Sequence, residues 1–361
     1  MESDLDLSVA VLSDKVLPEV RRTGVGVVAF DLSLALADLG VDVRLICRGN
    51  RKSNRQIGRL EIETIPHFTT RCEVALLGRE FDIAHSHTVG SFFGVVLAKM
   101  IGKRVFQHSH RADRNYSTSR IMNESLFGLC DRFLFTSEYA MKSFGEHYFQ
   151  KSRVIHNGVD SDLFKPLPAT EVAARKFGID QSQRFILSLG SVQRRKCQHL
   201  IAKILPKLLS HDPDLRYINV GPIYDKAYAL DLVASLPPAY RDRITLLGEV
   251  QTADLPHLIN SATLCVHPAI SEAFGLAVIE EMSCGKPVVA FNTCSLPEII
   301  TSMTDGVLVE PSAKAFADSI IRLLSDTSLS LRLGRNARRR AVEEFTWKNA
   351  ARSFLEICKE K

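Results

Sequence analysis

Strand-like apolar runs of three to six residues recur along the chain, separated by longer segments whose apolar residues fall at helical spacing. In the first half the runs are Leu7 to Leu12, Val43 to Cys47, Ile83 to His85, Arg104 to His108 and Phe133 to Thr136, with helices expected from about Gly26 to Leu39 and from Gly90 to Met100. Such alternation predicts parallel sheets covered by helices on both faces. It restarts at Phe185 to Leu189 and continues through Leu215 to Val220, Ile244 to Leu247, Thr263 to Val266 and Val288 to Phe291. Between the two series Pro166 and Pro168 interrupt helix and strand alike, which places a join near Phe164 to Ala169. The expected class is α/β, with two doubly wound domains at residues 1–165 and 166–345 and a terminal helical segment at 346–361. From Ser328 onward the chain reads as helix, broken at Phe345-Thr346-Trp347, where Thr346 is placed to cap a last helix.

The densest chemistry lies between residues 265 and 299. An apolar strand, Ala262 to Val266, enters a Ser/Glu/Gly loop, and a helical stretch follows from about Leu276 to Ser283 until Gly285 and Pro287 stop it. The first turn of that helix leaves the backbone N–H groups of Gly275, Leu276 and Ala277 without intrahelical partners, and Gly275 has no side chain to keep an anion away. This is an anion site made of backbone. Glu272 and Glu280 bracket it about 10 Å apart, too far to share a proton but spaced for opposite ends of one elongated ligand. On these residues alone a plainer account stays open: a buried strand, a turn and a half-exposed helix with Glu280 and Glu281 solvated.

The order Pro268, Glu272, Phe274-Gly275-Leu276, Glu280, Gly285, Pro287-Val288-Val289 and Pro297-Glu298-Ile299 resembles the Glu-x7-Glu signature of the retaining glycosyltransferases of family 4, the glycosyl transferases group 1. Departures are Ala273, where the family often has Gly, and Cys294-Ser295, where it often has a Gly pair. The resemblance implies a GT-B fold, two Rossmann-like domains facing each other across a cleft, and transfer of a hexose from a nucleoside-diphosphate sugar with retention at the anomeric carbon. The segment from Val154 to Pro166 is similar to the family's Asn-Gly-Val-Asp-x-x-x-Phe-x-Pro motif, and Asn157-Gly158 suits a tight turn with positive φ. A structural, hinge-side role is expected for it.

Phe185 to Leu200 is a strand, a turn at Gly190 and a basic loop entering a helix. By resemblance Lys196 grips the donor's diphosphate. Ser191 stands where an Arg is frequent and Cys197 where a Gly is, with Arg194 and Arg195 as substitutes from the same loop. Thr23-Gly24-Val25-Gly26, after the first strand, is similar to the family's Gly-rich loop. His108-Ser109-His110-Arg111 ends a parallel strand, where open α/β sheets bind ligands, and His110 matches the family's sugar-contacting histidine. His85-Ser86-His87 ends the preceding strand, and a structural role is expected for it.

Taken together, the resemblance implies catalytic roles for Glu272, Lys196 and His110. It implies donor binding by Gly24, Gly26, Arg194, Arg195, Gly248, Glu249, Val250, Phe274, Gly275, Leu276 and Glu280, and acceptor binding by His108, Arg111, Arg114 and Tyr116. The partners expected are a nucleoside-diphosphate sugar, UDP-hexose first and GDP-mannose second, and a glycan or lipid acceptor. The competing readings are another GT-B enzyme, such as a nucleotide-sugar epimerase or a phosphorylase, and a non-catalytic sugar-nucleotide-binding module, the latter suggested by Ser191 and Cys197.

Bulk properties narrow the picture further. A chain of 361 residues is long for one core, and a net charge of +5 with both signs interspersed does not argue for nucleic acid. The eight cysteines contain no Cys-x-x-Cys pair and mostly lie in apolar runs, which predicts free thiols in a reducing compartment and no structural zinc. The acidic N-terminus lacks a signal-peptide n-region, and the stretch Gly90 to Gly102 is interrupted by Lys99 and too short to span a bilayer. A cytoplasmic protein is expected, with peripheral contact at the inner membrane surface open through the arginines of Arg332 to Arg340. The Asp-x-Asp triplets at Asp4, Asp160 and Asp212 lie at the terminus, in the hinge motif and in a helix-to-strand loop, none in a metal-binding context, and His267 with Cys265 reads as strand packing, so no metal and no cofactor is expected.

Overall fold

The computed structural model describes residues 6–15, 17, 23–68, 75–76, 80–112, 128–168, 172–179 and 183–360. They form two compact units, Met1–Gly158 with Trp347–Lys361 (unit 1) and Val159–Thr346 (unit 2). The chain passes from one to the other at Gly158/Val159, upstream of the proline pair, and returns at Thr346/Trp347. Val159 and Thr346 form a β-bridge, and the Val159 N–H donates to the Phe345 carbonyl at 2.9 Å. Asn157 and Gly158 do not make the expected turn, since neither has positive φ. The chain runs through them without secondary structure into the bridge at Val159. Arg338 fixes the motif instead, donating to the carbonyls of Phe164 (2.8 Å), Ser283 (2.8 Å) and Ser161 (3.2 Å).

Unit 1 is built on an eight-stranded sheet: β1 (Ser8–Ser13), β2 (Asp42–Arg48), β3 (Ser53–Ile57), β4 (Leu60–Ile65), β5 (Ile83–Ser86), β6 (Arg104–Ser109), β7 (Arg132–Phe135) and β8 (Ser152–Val154), in the order β3-β4-β2-β1-β5-β6-β7-β8. Every pairing is parallel except β3–β4, an antiparallel edge hairpin turning at Gly58, whose φ of 54° suits glycine. Helix α1 (Gly24–Asp38) begins at Thr23, whose hydroxyl accepts from the Gly26 N–H, and buries Val27, Val28, Leu32 and Leu36. Helix α2 (Phe92–Met100) and helix α3 (Glu138–Phe144) follow β5 and β7.

Unit 2 has six parallel strands, β9 (Phe185–Leu189), β10 (Arg216–Val220), β11 (Ile244–Gly248), β12 (Leu264–His267), β13 (Val288–Phe291) and β14 (Val307–Val309), in the order β11-β10-β9-β12-β13-β14. Helices α4 (Val172–Phe177), α5 (Gln198–His211), α6 (Lys226–Ala234), α7 (Leu255–Ser261), α8 (Leu276–Ser283), α9 (Leu296–Ile299), α10 (Ala313–Ser325) and α11 (Thr327–Glu344) connect and cover them. Strands β9, β12 and β13 are buried throughout, as their unbroken apolar runs require. Helix α8 ends in a left-handed Gly285 (φ 75°), with the Lys286 N–H returning to the Glu281 carbonyl. The last helix, α12 (Trp347–Lys359), belongs to unit 1: it packs on α1 and buries Trp347, Ala350, Ala351, Phe354, Leu355 and Ile357. Arg104 anchors its end by donating to the Cys358 carbonyl at 2.6 Å, and Arg153 pairs with Glu360 at 2.6 Å. Among the described residues no helix is long and apolar enough to cross a membrane.

Candidate active site

In unit 2 the strand order reverses between β9 and β12, which lie side by side, and open parallel sheets bind ligands beyond the carboxyl ends at such a reversal. The two loops leaving those ends meet. After β9, Gly190 turns the chain into a single 3-10 turn, Arg194–Lys196, and the Lys196 side chain folds back over Gly190. After β12, the loop from Pro268 brings Glu272 to the Lys196 ammonium as an ion pair. Both side chains are nearly enclosed, 12% and 15% exposed, so the pair is not a screened surface contact. His267, the last residue of β12, places Nε2 3.4 Å from the same Glu272 oxygen. Ser188, Gly190, Gln198 and Pro268 line the shallow surface beside Lys196 and His267.

Burial pushes the Glu272 carboxyl up, but the Lys196 ammonium and the His267 hydrogen bond outweigh it and hold Glu272 well below the usual carboxylate range. Burial also dominates at His267 and keeps its imidazole below the ordinary value, so Nε2–H donates to the carboxylate from a neutral ring. Both shifts act in the same sense with pH. The unfolded chain takes up a proton at His267 below about pH 6.5 and at Glu272 below about 4.5, whereas the folded site resists both. Stability in this region is therefore complete above about pH 6.5 and falls as pH is lowered, at up to about 1.4 kcal/mol per pH unit for each proton resisted. Hydrogen exchange of β9 and β12, corrected for intrinsic rates, is expected to show opening free energies that drop from pH 7 to pH 5. A His267→Asn variant that keeps the full slope above pH 5 would count against this origin.

The loop carrying Glu272 is stitched from one side. Thr293 Oγ1 donates to the Ala269 carbonyl (3.3 Å), Cys294 Sγ to that of Ile270 (3.2 Å), and Ser295 Oγ to those of Glu272 (3.1 Å) and Phe274 (2.7 Å). Cys294 has φ 56° and Cys197 φ 55°, the left-handed region that glycine enters without penalty. The two cysteines that replace family glycines thus keep the backbone course a glycine would take. Gly275, at φ 118°, is the N-cap of α8 and provides no side-chain cap, so the first-turn amides face outward at the loop. Phe274 is buried in the core, and Leu276 packs against it.

The solvated-helix alternative fails at both acids: Glu280 is 3% exposed and Glu281 0%. Burial and the neighbouring Glu280 push the Glu281 carboxyl well above its ordinary range, outweighing the Leu189 backbone contact that acts the other way. Arg195 donates to the Ser271 carbonyl at 3.0 Å, while Arg194 is largely exposed, near Asp225 (3.6 Å) and over the Tyr228 ring. Gly248 is left-handed (φ 75°) and its carbonyl accepts from the Gly221 N–H; the exposed Glu249 and the half-buried Val250 follow. The arginine stretch is only partly a solvated face. Arg338 is spent on the motif at 161–164, and Arg340 pairs with Asp305 at 3.2 Å and donates to the Glu298 carbonyl at 3.1 Å, leaving Arg332, Arg335 and Arg339 exposed.

In unit 1, Gly24 and Gly26 are not a loop but the first turn of α1, and the Gly26 amide is taken by Thr23. At the carboxyl ends of β5 and β6, His85, His87, His108 and His110 form one cluster. His87 Nδ1 lies 2.9 Å from His110 Nε2, and the His108 and His110 rings stack with centroids 4.6 Å apart. His108 is buried beneath the half-buried His110, so the two predicted residues differ in access, while the paired His85 and His87 belong to the same assembly. Burial, and after it the neighbouring imidazoles, holds His85, His87 and His108 well below the ordinary value, and burial takes His110 down to about 3. Arg111 is exposed at the rim, and Arg114 and Tyr116 lie outside the described residues.

Two family models match the chain, one described as Glycosyltransferase Family 4 over residues 22–163 and one as Glycosyl transferases group 1 over residues 170–340. The chain is a group 1 glycosyltransferase. Among relatives of this enzyme family, a D-inositol 3-phosphate glycosyltransferase of Salinispora arenicola is 28% identical over 356 residues, covering 88% of this chain and 78% of its own. An uncharacterized glycosyltransferase of Methanocaldococcus jannaschii is 29% identical over 214 residues, 58% of this chain and 54% of its own length. Among solved structures, sucrose-phosphate synthase from Thermosynechococcus elongatus superposes with a TM-score of 0.79 at 21% identity, covering 98% of both chains. Anabaena HepE in complex with UDP and glucose gives 0.81 at 18% identity, covering 98% of this chain and 100% of that one. These likenesses show the GT-B fold of the group 1 glycosyltransferases.

Proposed function

We propose that this group 1 glycosyltransferase moves a hexose from a nucleoside-diphosphate sugar, UDP-hexose before GDP-mannose, to a glycan or lipid acceptor with retention of configuration. The observation that carries the reading is the meeting of Lys196 with Glu272 beside the open first turn of α8, at the sheet reversal of unit 2. The difficult step is departure of a diphosphate from an oxocarbenium-like carbon. The Lys196 ammonium and the amides at Gly275 to Ala277 neutralise the charge that develops there, each charge-assisted contact contributing about 1.5–3 kcal/mol. Glu272, kept ionised by Lys196 and His267, accepts from hydroxyls of the transferred sugar, and His110 keeps the sugar-contacting role that the resemblance implies. Glu280 accepts from the ribose. Attack comes from the same face as departure, and the acceptor's proton leaves with the phosphate. UDP in the Anabaena neighbour and the inositol-phosphate relatives support a nucleotide donor and a hydroxyl acceptor.

A nucleotide-sugar panel followed by acceptor candidates, read as product formation by mass spectrometry, tests the assignment; no product with any UDP- or GDP-sugar would overturn it. Because the charge is met by an ammonium and backbone, turnover is expected without added Mg²⁺, and a strict requirement for it would contradict this chemistry. Glu280→Gln keeps the side chain's size while removing its charge, and it is expected to weaken UDP binding about tenfold in a calorimetric titration.

A further inference from the structure

The histidine cluster of unit 1 follows from register. In the parallel β5–β6 pair His85 lies opposite Phe106, and the side-chain period of two then puts His85 and His87 of one strand on the same face as Phe106, His108 and His110 of the other. Two His-x-His pairs, 23 residues apart at His87 and His110, are thereby stacked on one side of the sheet. Phe354 of α12 covers the inner end, its ring centroid 4.8 Å from that of His85 and 5.6 Å from that of Phe106.

One nitrogen from each of His85, His87 and His108 lies within 4.8 Å of the other two, and all three residues are buried. Five of their six ring nitrogens, both of His85, both of His108 and Nε2 of His87, have no hydrogen-bond partner. Folded proteins seldom leave buried polar atoms so, and five in one pocket point to a shared occupant. The sixth, His87 Nδ1, is engaged by His110 Nε2 at 2.9 Å, the outer hydrogen bond that metal-bound histidines ordinarily make through their second nitrogen.

We propose that His85, His87 and His108 form a transition-metal site of Zn²⁺ type, with His110 as the outer partner of His87. Three imidazoles exclude Ca²⁺ and Mg²⁺, which take oxygen ligands, and suit Zn²⁺ with a fourth position left for water or another small ligand. Tetrahedral Zn–N bonds of about 2.0–2.1 Å put the nitrogens about 3.4 Å apart, so the rings close in by about 1 Å through small side-chain rotations. The ion ties the carboxyl ends of β5 and β6 together. It also fixes a tautomer chain: His87, bound through Nε2, must carry its proton on Nδ1, donates it to His110 Nε2, and leaves the His110 proton on Nδ1. The diphosphate contacts of the transfer reading are all residues of unit 2, whereas His108 and His110 are shared with this site, so the test below reads metal binding and not turnover.

The full chain, stripped by a strong chelator and dialysed, is titrated with Zn²⁺ against a chromophoric competitor, and separately with Co²⁺. One equivalent of tight Zn²⁺, a Zn²⁺-dependent rise in Tm and the intense visible bands of four-coordinate Co²⁺ are expected. His85→Gln is expected to lose more than the 10–100-fold in affinity that removal of an outer partner costs. His211→Ala, at an exposed histidine bonded to Ser325, should bind as the wild type does. Equal Zn²⁺ affinity in the wild type and His85→Gln overturns the site. So does a Co²⁺ spectrum of the wild type that stays that of the hydrated ion, a result that does not depend on how any variant folds.

Discussion

Lys196→Ala is expected to lower turnover by about ten- to a hundredfold, the rate equivalent of one charge-assisted contact to the departing diphosphate. The same change removes the partner of Glu272, a carboxylate only 15% exposed, whose remaining contact is His267 at 3.4 Å. Folding stability should therefore also fall, by about 1–3 kcal/mol, so the effect on rate is to be read well below the variant's own Tm. A second change separates the two losses. Glu272→Gln in the Lys196→Ala background removes the uncompensated charge and should recover part of the stability while leaving turnover low. Turnover of Lys196→Ala within threefold of wild type would remove the ammonium from the reaction.

Gly275→Ala is the second large effect. At φ 118° any side chain is strained, by about 1–2 kcal/mol, and the added Cβ would stand 3.2 Å from Ile299 Cδ1 and 3.3 Å from Leu296 Cδ2. Relief requires the start of α8 to shift, which moves the amides of Leu276 and Ala277 away from an incoming phosphate. A loss of about 2 kcal/mol in stability and at least about tenfold in UDP affinity is expected, the first by thermal melting and the second by calorimetry. A variant that folds, melts lower and still binds UDP as tightly as the parent would show that the amides are not the cradle.

Most strands were legible because buried parallel strands are nearly all apolar: Phe185–Leu189 and Val288–Phe291 fall where the pattern places them. The β3–β4 hairpin escaped because Ser53-Asn54-Arg55-Gln56-Ile57 is a polar edge strand, held by backbone pairing to β4 and not by burial. In the site, Lys196 and Glu272 were each visible as types in a motif, but their pairing joins residues 76 positions apart and depends on β9 lying next to β12. The sequence suggests strand packing for His267, and its place at the end of a strand five residues before Glu272 is the available signal for more. The sequence leaves His85 and His87 with a structural role, since only the β5–β6 register shows that two His-x-His pairs share a face. Cys197 and Cys294 looked like lost glycines, whereas a side chain in the left-handed region carries a strain of about 1 kcal/mol and leaves the backbone path unchanged.

The β-bridge between Val159 and Thr346 has a consequence for the order of assembly. Unit 2 is an insertion whose two ends are zipped together, so it can close on itself as soon as its own 188 residues are made. The sheet encoded earlier cannot: Phe354 and its neighbours on α12, which cover the His85 and Phe106 face, are synthesised after the whole insertion. The first half of the protein thus matures last, and until then the apolar side of α12's docking place, Phe106 among it, stays open to solvent and to chaperones.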